Sequence, residues 1–591
     1  MTTLSEALAT AGRHHQTGRF DAAEQIYRHI LAVNPDQPDA LHLLGVLAFQ
    51  KGRHELAIEH ISRAIAIKGT DATFHNNLST VLKELGHWDT AAAECRRAIQ
   101  LRPDYAKAHN NLGTILQAQG QLDGAVDSLQ HALELQPDYV VALNNLGGIL
   151  KDLGRVDESI AKFRQALALR SDYWPAHRSL LYSLWFSPSF DSAQIYAEHR
   201  RWQNQWAQPL AQKIQPHTND ATANRRLRVG YVGSDFREHC QSLFTIPLFK
   251  AHDRQQFEIV CYSDVSRPDT YTARTEACVD HWRTIAHQSD DQVAELIRQD
   301  QIDILVDLTM HMERGRLLVF AQKPAPVQVC WLAYPGTTGL TAIDFRMTDP
   351  YLDPPDENGS YYSEQSFRLP DSFWCYDPLT DSPLVNPVPA LINGYITFGC
   401  LNNFCKLNDA TLQLWARVLK RISPSRLLLL APEGSARESV LHILAAAGVS
   451  AEQITFIPRQ PRANYLELYH HIDIGLDTLP YNGHTTSLDS FWMGVPVVTL
   501  IGKTVVGRAG LSQLNNLGLS DLAAHTPDQF VEIAANLASN ISRLSQIRAA
   551  LRTKMEQSPL MDAPRFARAM ETAYQTMWRQ WCRSRNDALS S

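Results

Sequence analysis

PDYAKAHNNLGTILQAQGQLDGAVDSLQHALELQ (103–136) is followed at once by PDYVVALNNLGGILKDLGRVDESIAKFRQALALR (137–170). The two stretches are one 34-residue pattern written twice. Working outward, the same step links Pro35, Gly69, Pro103, Pro137 and Ser171. It also links Gly18, Gly52, Gly86, Gly120 and Gly154, and then Ala23, Ala57, Ala91, Ala125 and Ser159. A fourth column reads Ile30, Ala64, Ala98, Ala132 and Ala166. Each column has a physical meaning. The glycine ends the first helix of a unit, where a left-handed residue is wanted. The small residues let two antiparallel helices approach closely. The proline stops the second helix and opens the next turn. Between these marks the apolar residues keep helical spacing, as in Leu143, Leu146 and Leu150.

A helix-turn-helix unit of this length and pattern resembles the tetratricopeptide repeat. Five units fill residues 3–172, and DYWPAHRSLLYSLWF (172–186) reads as a sixth first helix capping the stack. Such solenoids offer a concave groove. A further column, Asn77, Asn111 and Asn145, is absent at Leu43. Two readings fit it: a short amide ladder for the backbone of an extended peptide, or ties between neighbouring helices.

The chain has 591 residues, a formal net charge of -7, 44% hydrophobic and 20% charged residues. These values are ordinary for globular proteins and exclude a disordered or collagen-like chain. A mildly acidic balance gives no reason to expect nucleic-acid binding. No apolar run is long enough to cross a membrane, and MTTLSEALATAGRHHQ does not have the layout of a secretory leader. The nine cysteines include no C-x-x-C pair, which speaks against a zinc ribbon or a thioredoxin-like motif. Dispersed, reduced thiols point to a cytoplasmic protein.

After residue 190 the texture changes. FDSAQIYAEHRRWQNQWAQPLAQ (190–212) keeps helical spacing, and KIQPHTNDATANRR (213–226) breaks it. Then short apolar runs alternate with helical stretches: LRVGYVG (227–233), FEIVCYS (257–263), IDILVDL (302–308) and VQVCWLAY (327–334). The pattern restarts with YITFGCLN (395–402), RLLLLAP (426–432), QITFIP (453–458), IDIGLDT (472–478) and PVVTL (496–500). Buried strands alternating with helices predict parallel α/β sheets. The expected organisation is an α-solenoid over 1–189, a helical linker over 190–226, and two Rossmann-like lobes over 227–385 and 386–591. The closing helical stretch 563–585 is placed to cross back onto the first lobe. Ligands of such sheets bind beyond the carboxyl ends of the strands.

No dinucleotide fingerprint, P-loop, D-x-D, H-E-x-x-H or G-x-S-x-G occurs at a fitting place. Anionic charge must be handled by other means. YNGHTTSLDSFWMG (481–494) lies between two predicted strands, with Thr485 and Thr486 at a helix start, His484 before them and Asp489 a turn inside. Free N–H groups and the positive dipole end make that start an anion site; an ordinary capped helix fits the same residues. LNNFCK (401–406) puts Lys406 beyond a strand end, and SDFREH (234–239) puts His239 beyond another. Either side chain taken alone is equally a surface group.

These motifs resemble the O-linked N-acetylglucosamine transferase family, with its bacterial and SPINDLY-type relatives. LRVGYVGSDFREH (227–239), PAPVQVCWLAYPGTTGL (324–340), YSEQSFRLPDSFWCY (362–376), ITFGCLNNFCKLN (396–408) and YNGHTTSLDSFWMGVPVVTL (481–500) carry the resemblance. It implies a GT-B fold and an inverting, metal-independent transfer of N-acetylglucosamine from UDP-N-acetylglucosamine to Ser or Thr of proteins held by the repeats. No cofactor is implied beyond that donor substrate. His239 matches the lobe-interface histidine that serves as base or acceptor-orienting group. Lys406 matches the lysine that stabilises the leaving diphosphate. His484, Thr485 and Thr486 match diphosphate contacts, and Asp489 a ribose contact. PRANYLEL (461–468) occupies the nucleoside stretch, with Arg462 where animal enzymes have lysine and Tyr465 where they have histidine. Asn403 replaces a glutamine near the diphosphate, and Cys240 stands where proline is common. His311, in VDLTMHMERGR (306–316), is a further cleft candidate. The same fold with GDP-fucose or UDP-glucose as donor is the alternative, and a repeat scaffold with an inactive transferase region is the third reading.

Overall fold

A computed structural model describes residues 3–355 and 361–590. Two compact units emerge: the chain up to Ala176, and His177–Pro432 together with the chain from Ala436 onward.

The first unit is five antiparallel helix pairs, opening with Leu4–Gln16 and Phe20–Val33 and closing with Val140–Asp152 and Val156–Leu169. The glycine column behaves as its position demands. Gly18, Gly52, Gly86, Gly120 and Gly154 all have φ between 73° and 80°, a region costly for any residue with a Cβ. The column from Ala23 to Ser159 is fully buried. A further column of small residues lets the paired helices touch. A Cβ on Gly113 would stand 2.7 Å from Leu129, and one on Gly147 2.5 Å from the Phe163 ring. At the equivalent place in the third unit, Cys95 Sγ donates to Ser79 Oγ (3.0 Å).

The asparagine column ties helices together. Asn77 Nδ2 pairs with His42 Nε2 (2.8 Å), Asn111 Nδ2 donates to Asn76 Oδ1 (3.0 Å), and Asn145 Nδ2 donates to Asn110 Oδ1 (2.9 Å). Within two of the pairs the first asparagine also reaches the second (Asn76 Nδ2 to Asn77 Oδ1, 3.4 Å; Asn110 Nδ2 to Asn111 Oδ1, 3.5 Å). The series ends at Asn144, whose buried Oδ1 finds no partner.

The boundary between units falls before residue 189, so the expected capping helix and linker behave differently from the sequence reading. Leu180, Leu181, Leu184, Trp185 and Phe186 are buried in the second unit. A Cβ on Gly336 would strike the Trp185 ring. The polar stretch 213–226 is pinned along the first sheet: Asn219 Nδ2 donates to Asp303 Oδ1 (2.8 Å), and Arg225 Nη1 to Asp303 Oδ2 (2.7 Å). Its polarity marked a segment held to the sheet edge by hydrogen bonds through Asn219 and Arg225.

The second unit holds two parallel sheets. The first runs β1 (Leu227–Gly233), β2 (Phe257–Ser263), β3 (His281–Thr284), β4 (Ile304–Asp307), β5 (Val327–Cys330), β6 (Phe345–Thr348) and β7 (Gln365–Arg368), in spatial order β3-β2-β1-β4-β5-β6-β7. The second runs β8 (Ile396–Cys400), β9 (Ser425–Leu430), β10 (Ile454–Ile457), β11 (Ile474–Leu476), β12 (Val497–Leu500) and β13 (Ala523–Ala524), in order β10-β9-β8-β11-β12-β13. β1, β4, β8 and β11 are almost wholly buried, which is why they read as unbroken apolar runs. Each sheet reverses its order once, between β1 and β4 and between β8 and β11, and ligands of such sheets bind at that crevice.

The last helix, Ala563–Ser590, packs on the first sheet although it follows the second. Tyr574 and Tyr231 share a hydroxyl hydrogen bond (3.0 Å), and Glu571 accepts from the Asp253 N–H (2.8 Å) and pairs with His252 (3.0 Å). The lobes also meet directly. Ser512 Oγ donates to Asp349 (2.6 Å), Arg508 Nε to the Tyr351 carbonyl (2.9 Å), and Asn516 Nδ2 to the Asp371 carbonyl (3.0 Å). Among the described residues no helix is long and apolar enough to cross a membrane.

Candidate active site

The loops after β1, β8 and β11 converge where both sheets switch order. Lys406 ends a short turn, Phe404–Lys406, just past β8. Its Nζ donates to the Asn482 carbonyl (2.7 Å) and lies 4.1 Å from the centre of the Tyr481 ring. That ring stacks on Phe186 at 4.9 Å and 10°. Burial lowers the Lys406 pKa to about 8. The buried carboxyl of Asp477 nearby is pushed up to about 6 by its own desolvation.

Asp477, at the end of β11, organises the turn that follows. It accepts from the N–H of Gly483 (2.6 Å) and Thr478 (2.9 Å), and from Thr499 Oγ1 (2.8 Å). The helix Thr485–Trp492 starts there, with His484 as its cap residue. The first N–H groups of a helix have no acceptor inside it, so this start offers donors in the neighbourhood of Lys406. Asn402 fixes the relation of the two loops: its Oδ1 accepts from Thr486 Oγ1, and its Nδ2 donates to Thr478 Oγ1 (2.9 Å). A Cβ on Gly483 would press on Ser487 Oγ and stand 2.9 Å from Asn402 Oδ1. His484 lies between Trp374 (5.3 Å) and Tyr481 (4.7 Å). Burial first, and then Lys406, hold its pKa well below the ordinary histidine range, so it is neutral.

From the other lobe comes His239. Asp235 lies 3.9 Å from its Nδ1, and the Gln241 N–H approaches the same nitrogen (3.3 Å). Burial works to lower its pKa, but Cys240 and Asp235 outweigh that and raise it. Cys240, beside it, is close enough to Lys406 and Tyr481 of the other lobe to interact with them electrostatically. His239, Lys406, His484, Thr485 and Thr486 are therefore brought together.

The remaining candidates fall elsewhere or are already engaged. Asn403 is exposed beside the Lys406 turn, which its backbone carbonyl closes, and its buried neighbour Asn402 is the one that links the two loops. His311 is buried against His199 (5.1 Å) and Trp202 (4.7 Å), with Nε2 on the Thr338 carbonyl (2.7 Å). It belongs to the packing beneath the Ser192–Trp202 helix. Asp489 is gripped by Arg462 through both guanidinium nitrogens (2.9 and 2.7 Å) and by the Tyr376 hydroxyl (2.6 Å). Tyr465 shares a hydroxyl bond with Tyr469 (2.7 Å), which in turn donates to the Thr486 carbonyl (2.9 Å). Arg462 directly, and Tyr465 through Tyr469, thus tie PRANYLEL to the Thr485–Trp492 helix. Asn402, Asp477, Tyr376 and Tyr481 escaped the sequence reading. A carboxylate closing the apolar run IDIGLD was the one signal available.

Among the described residues, no group of three or more His, Cys, Asp and Glu side chains is placed to hold a metal ion. Positive charge at the site comes from Lys406 and the helix start.

A family model described as glycosyl transferase family 41 matches residues 168–381 and 389–570. Tetratricopeptide models match 8–72, 80–120, 106–139 and 142–173. The chain is 38% identical over 397 residues to a probable UDP-N-acetylglucosamine–peptide N-acetylglucosaminyltransferase SPINDLY of Petunia hybrida, covering 66% of this chain and 42% of that protein. It is 38% identical over 404 residues to its namesake in Hordeum vulgare, covering 67% and 43%. The chain thus spans about two fifths of the length of these curated relatives. A solved structure, a lysine-to-methionine mutant of the Thermobaculum terrenum O-GlcNAc transferase, superposes with a TM-score of 0.82 at 35% identity, covering 88% of this chain and 99% of that one.

Proposed function

The chain belongs to glycosyl transferase family 41, and from that premise we propose that it moves N-acetylglucosamine from UDP-N-acetylglucosamine to Ser or Thr hydroxyls of proteins recruited by the repeats. One observation carries the reading. Lys406 and the Thr485–Thr486 helix start stand together beyond β8 and β11, and the His239–Cys240 loop of the opposite lobe comes near Lys406.

The chemistry follows from the groups present. The acceptor oxygen attacks the anomeric carbon, and the bond from that carbon to the phosphate oxygen breaks. The electron pair leaves with the diphosphate. Lys406 and the helix N–H groups stabilise that charge electrostatically, which is the task a metal performs elsewhere. The carboxylates of the site are committed: Asp477 to the Gly483 turn, Asp489 to Arg462 and Tyr376, and Asp235 to Arg237 and Ser234. With none free to form a sugar ester, a single displacement with inversion fits best. The acceptor proton leaves late, and His239 is the side chain placed to receive it.

Thermal-shift titrations with UDP, GDP and their sugars test the donor. Stabilisation by UDP-N-acetylglucosamine and UDP alone supports the reading. Preference for GDP-fucose or UDP-glucose replaces the donor and keeps the mechanism. Mass shifts of co-expressed cellular proteins test the transfer. A chain that leaves every protein unmodified and binds no nucleotide is a scaffold.

A further inference from the structure

Tyr376 ends a buried strap, residues 373–376, that follows β7, and its hydroxyl crosses to the helix Thr485–Trp492 of the other lobe. There it donates to Asp489 Oδ1 (2.6 Å) and accepts from Arg462 Nη2 (3.3 Å), while Arg462 grips both Asp489 oxygens. The three groups close a ring of hydrogen bonds around one buried carboxylate. The strap itself is fastened to the first lobe. The Asp377 N–H donates to the Leu243 carbonyl (2.8 Å), the Tyr376 ring lies 6.2 Å from that of Phe244, and the Trp331 indole N–H donates to the Phe373 carbonyl (3.0 Å). Leu243 and Phe244 stand in the first turn of the helix Ser242–Ala251, whose leading N–H donates to the His239 carbonyl (3.1 Å). A continuous run of contacts thus leads from His239 through Leu243 and Tyr376 to Asp489, a turn inside the helix that starts at Thr485. Asn402, Tyr469 and Gln513 hold that helix start within the second lobe, and none of these three contacts fixes its distance from His239.

We propose that Tyr376 is a positioning residue for the transfer: its hydroxyl sets the register between the two lobes, and with it the place of His239 over a donor held at the Thr485 helix start. Its part in transfer rests on the reaction proposed above; the link between the lobes does not. Binding and reaction depend on this hydroxyl differently. Lys406 and the helix N–H groups, which meet the diphosphate, stay on the second lobe with or without it. His239, which receives the acceptor proton, stands on the first lobe and reaches the reacting atoms only in the register that the link sets. A hydrogen bond to a buried carboxylate is short and directional, so it fixes a distance that ring packing alone leaves loose. Burial holds the Tyr376 pKa well above the ordinary tyrosine value, so the hydroxyl stays a donor at every pH at which the reaction is measured.

The test compares the full chain with its Tyr376→Phe variant, which loses one oxygen and keeps the ring. The acceptor is the protein that co-expression shows to be modified most heavily, and the donor is UDP-N-acetylglucosamine. Transfer at saturating donor is expected to fall at least ~10-fold, with the UDP dissociation constant changed by less than about 2-fold. The melting temperature is expected to stay nearly unchanged, which separates a lost register from a damaged fold. Hydrogen exchange without nucleotide reads the link directly. Peptides covering 239–244 and 485–492 are expected to exchange about 10-fold faster in the variant, the worth of one hydrogen bond to a charged group. Peptides covering 140–169, in the repeats, are expected to exchange equally in both proteins. Full transfer by the variant overturns the positioning role. A weaker grip on UDP with transfer at saturating donor intact also overturns it, and makes the hydroxyl part of the donor site. If the unaltered chain modifies no protein, the transfer reading falls, and exchange alone decides the link: faster at 239–244 and 485–492 keeps it, unchanged removes it.

Discussion

Lys406 keeps its charge only while the pH stays below about 8. A lysine charge is present below its pKa and lost above it, so kcat/KM is expected to fall on the alkaline side with that midpoint. His239 has the opposite sign. As a base it must be unprotonated, and its pKa is raised, so transfer falls as the solution is acidified through it. A profile measured from pH 5 to 10 that is flat above 8 would remove Lys406 from the charge-stabilising role. Lys406→Ala is expected to cost at least ~100-fold in transfer with the melting temperature nearly unchanged. Gly483→Ala pushes a methyl toward Ser487 Oγ, Asn402 Oδ1 and Thr486 Oγ1; donor affinity should drop about 10-fold or more, because the helix start is displaced. At this scale the sequence was only partly legible. Lys406 and His-Thr-Thr followed recognisable strand ends. Asn402 and Asn403 are adjacent and chemically identical, and only the direction in which the chain leaves β8 decides which one is buried between the loops. Tyr376 meets Asp489 across 113 residues, and no local pattern announces such a pair.

The helix pairs of the repeat separate two kinds of glycine. Gly120 has φ +77° with open space around it, so Gly120→Ala pays only for backbone strain, about 1 kcal/mol. A Cβ on Gly147 would stand 2.5 Å from the Phe163 ring, and Gly147→Ala is expected to cost about 1–3 kcal/mol through overpacking. Asn111→Ala strands the buried Asn76 Oδ1, at about 1–2 kcal/mol. Urea midpoints of the three variants rank these effects. If Asn111→Ala is neutral, the amide column does not tie the repeats. Repetition made these elements readable: five copies of each column raise a weak preference above noise. The direction of the amides was beyond that reading, since a column records position and not the partner.

For the molecule as a whole, the Ala563–Ser590 helix completes the first sheet from the far end of the chain. Ending the chain before Ala563 exposes Tyr231 and His252 and removes the buried Met570, Tyr574 and Trp578. The second unit is expected to melt at a much lower temperature, while the helical signal of the repeats persists, as circular dichroism melts would show. An unchanged second transition would mean that the helix only decorates the sheet. The two-lobed plan was legible in alternating apolar runs, whereas the place where the linker stops being a linker depended on which polar side chains found buried partners. The return of the last helix also has a consequence during synthesis. Tyr231 leaves the ribosome 343 residues ahead of Tyr574. At the usual pace of translation that is a delay of roughly 20 to 70 s. The repeats can fold as they emerge, but β1 must wait that long with a face unpaired, so this is the interval in which chaperones have something to hold.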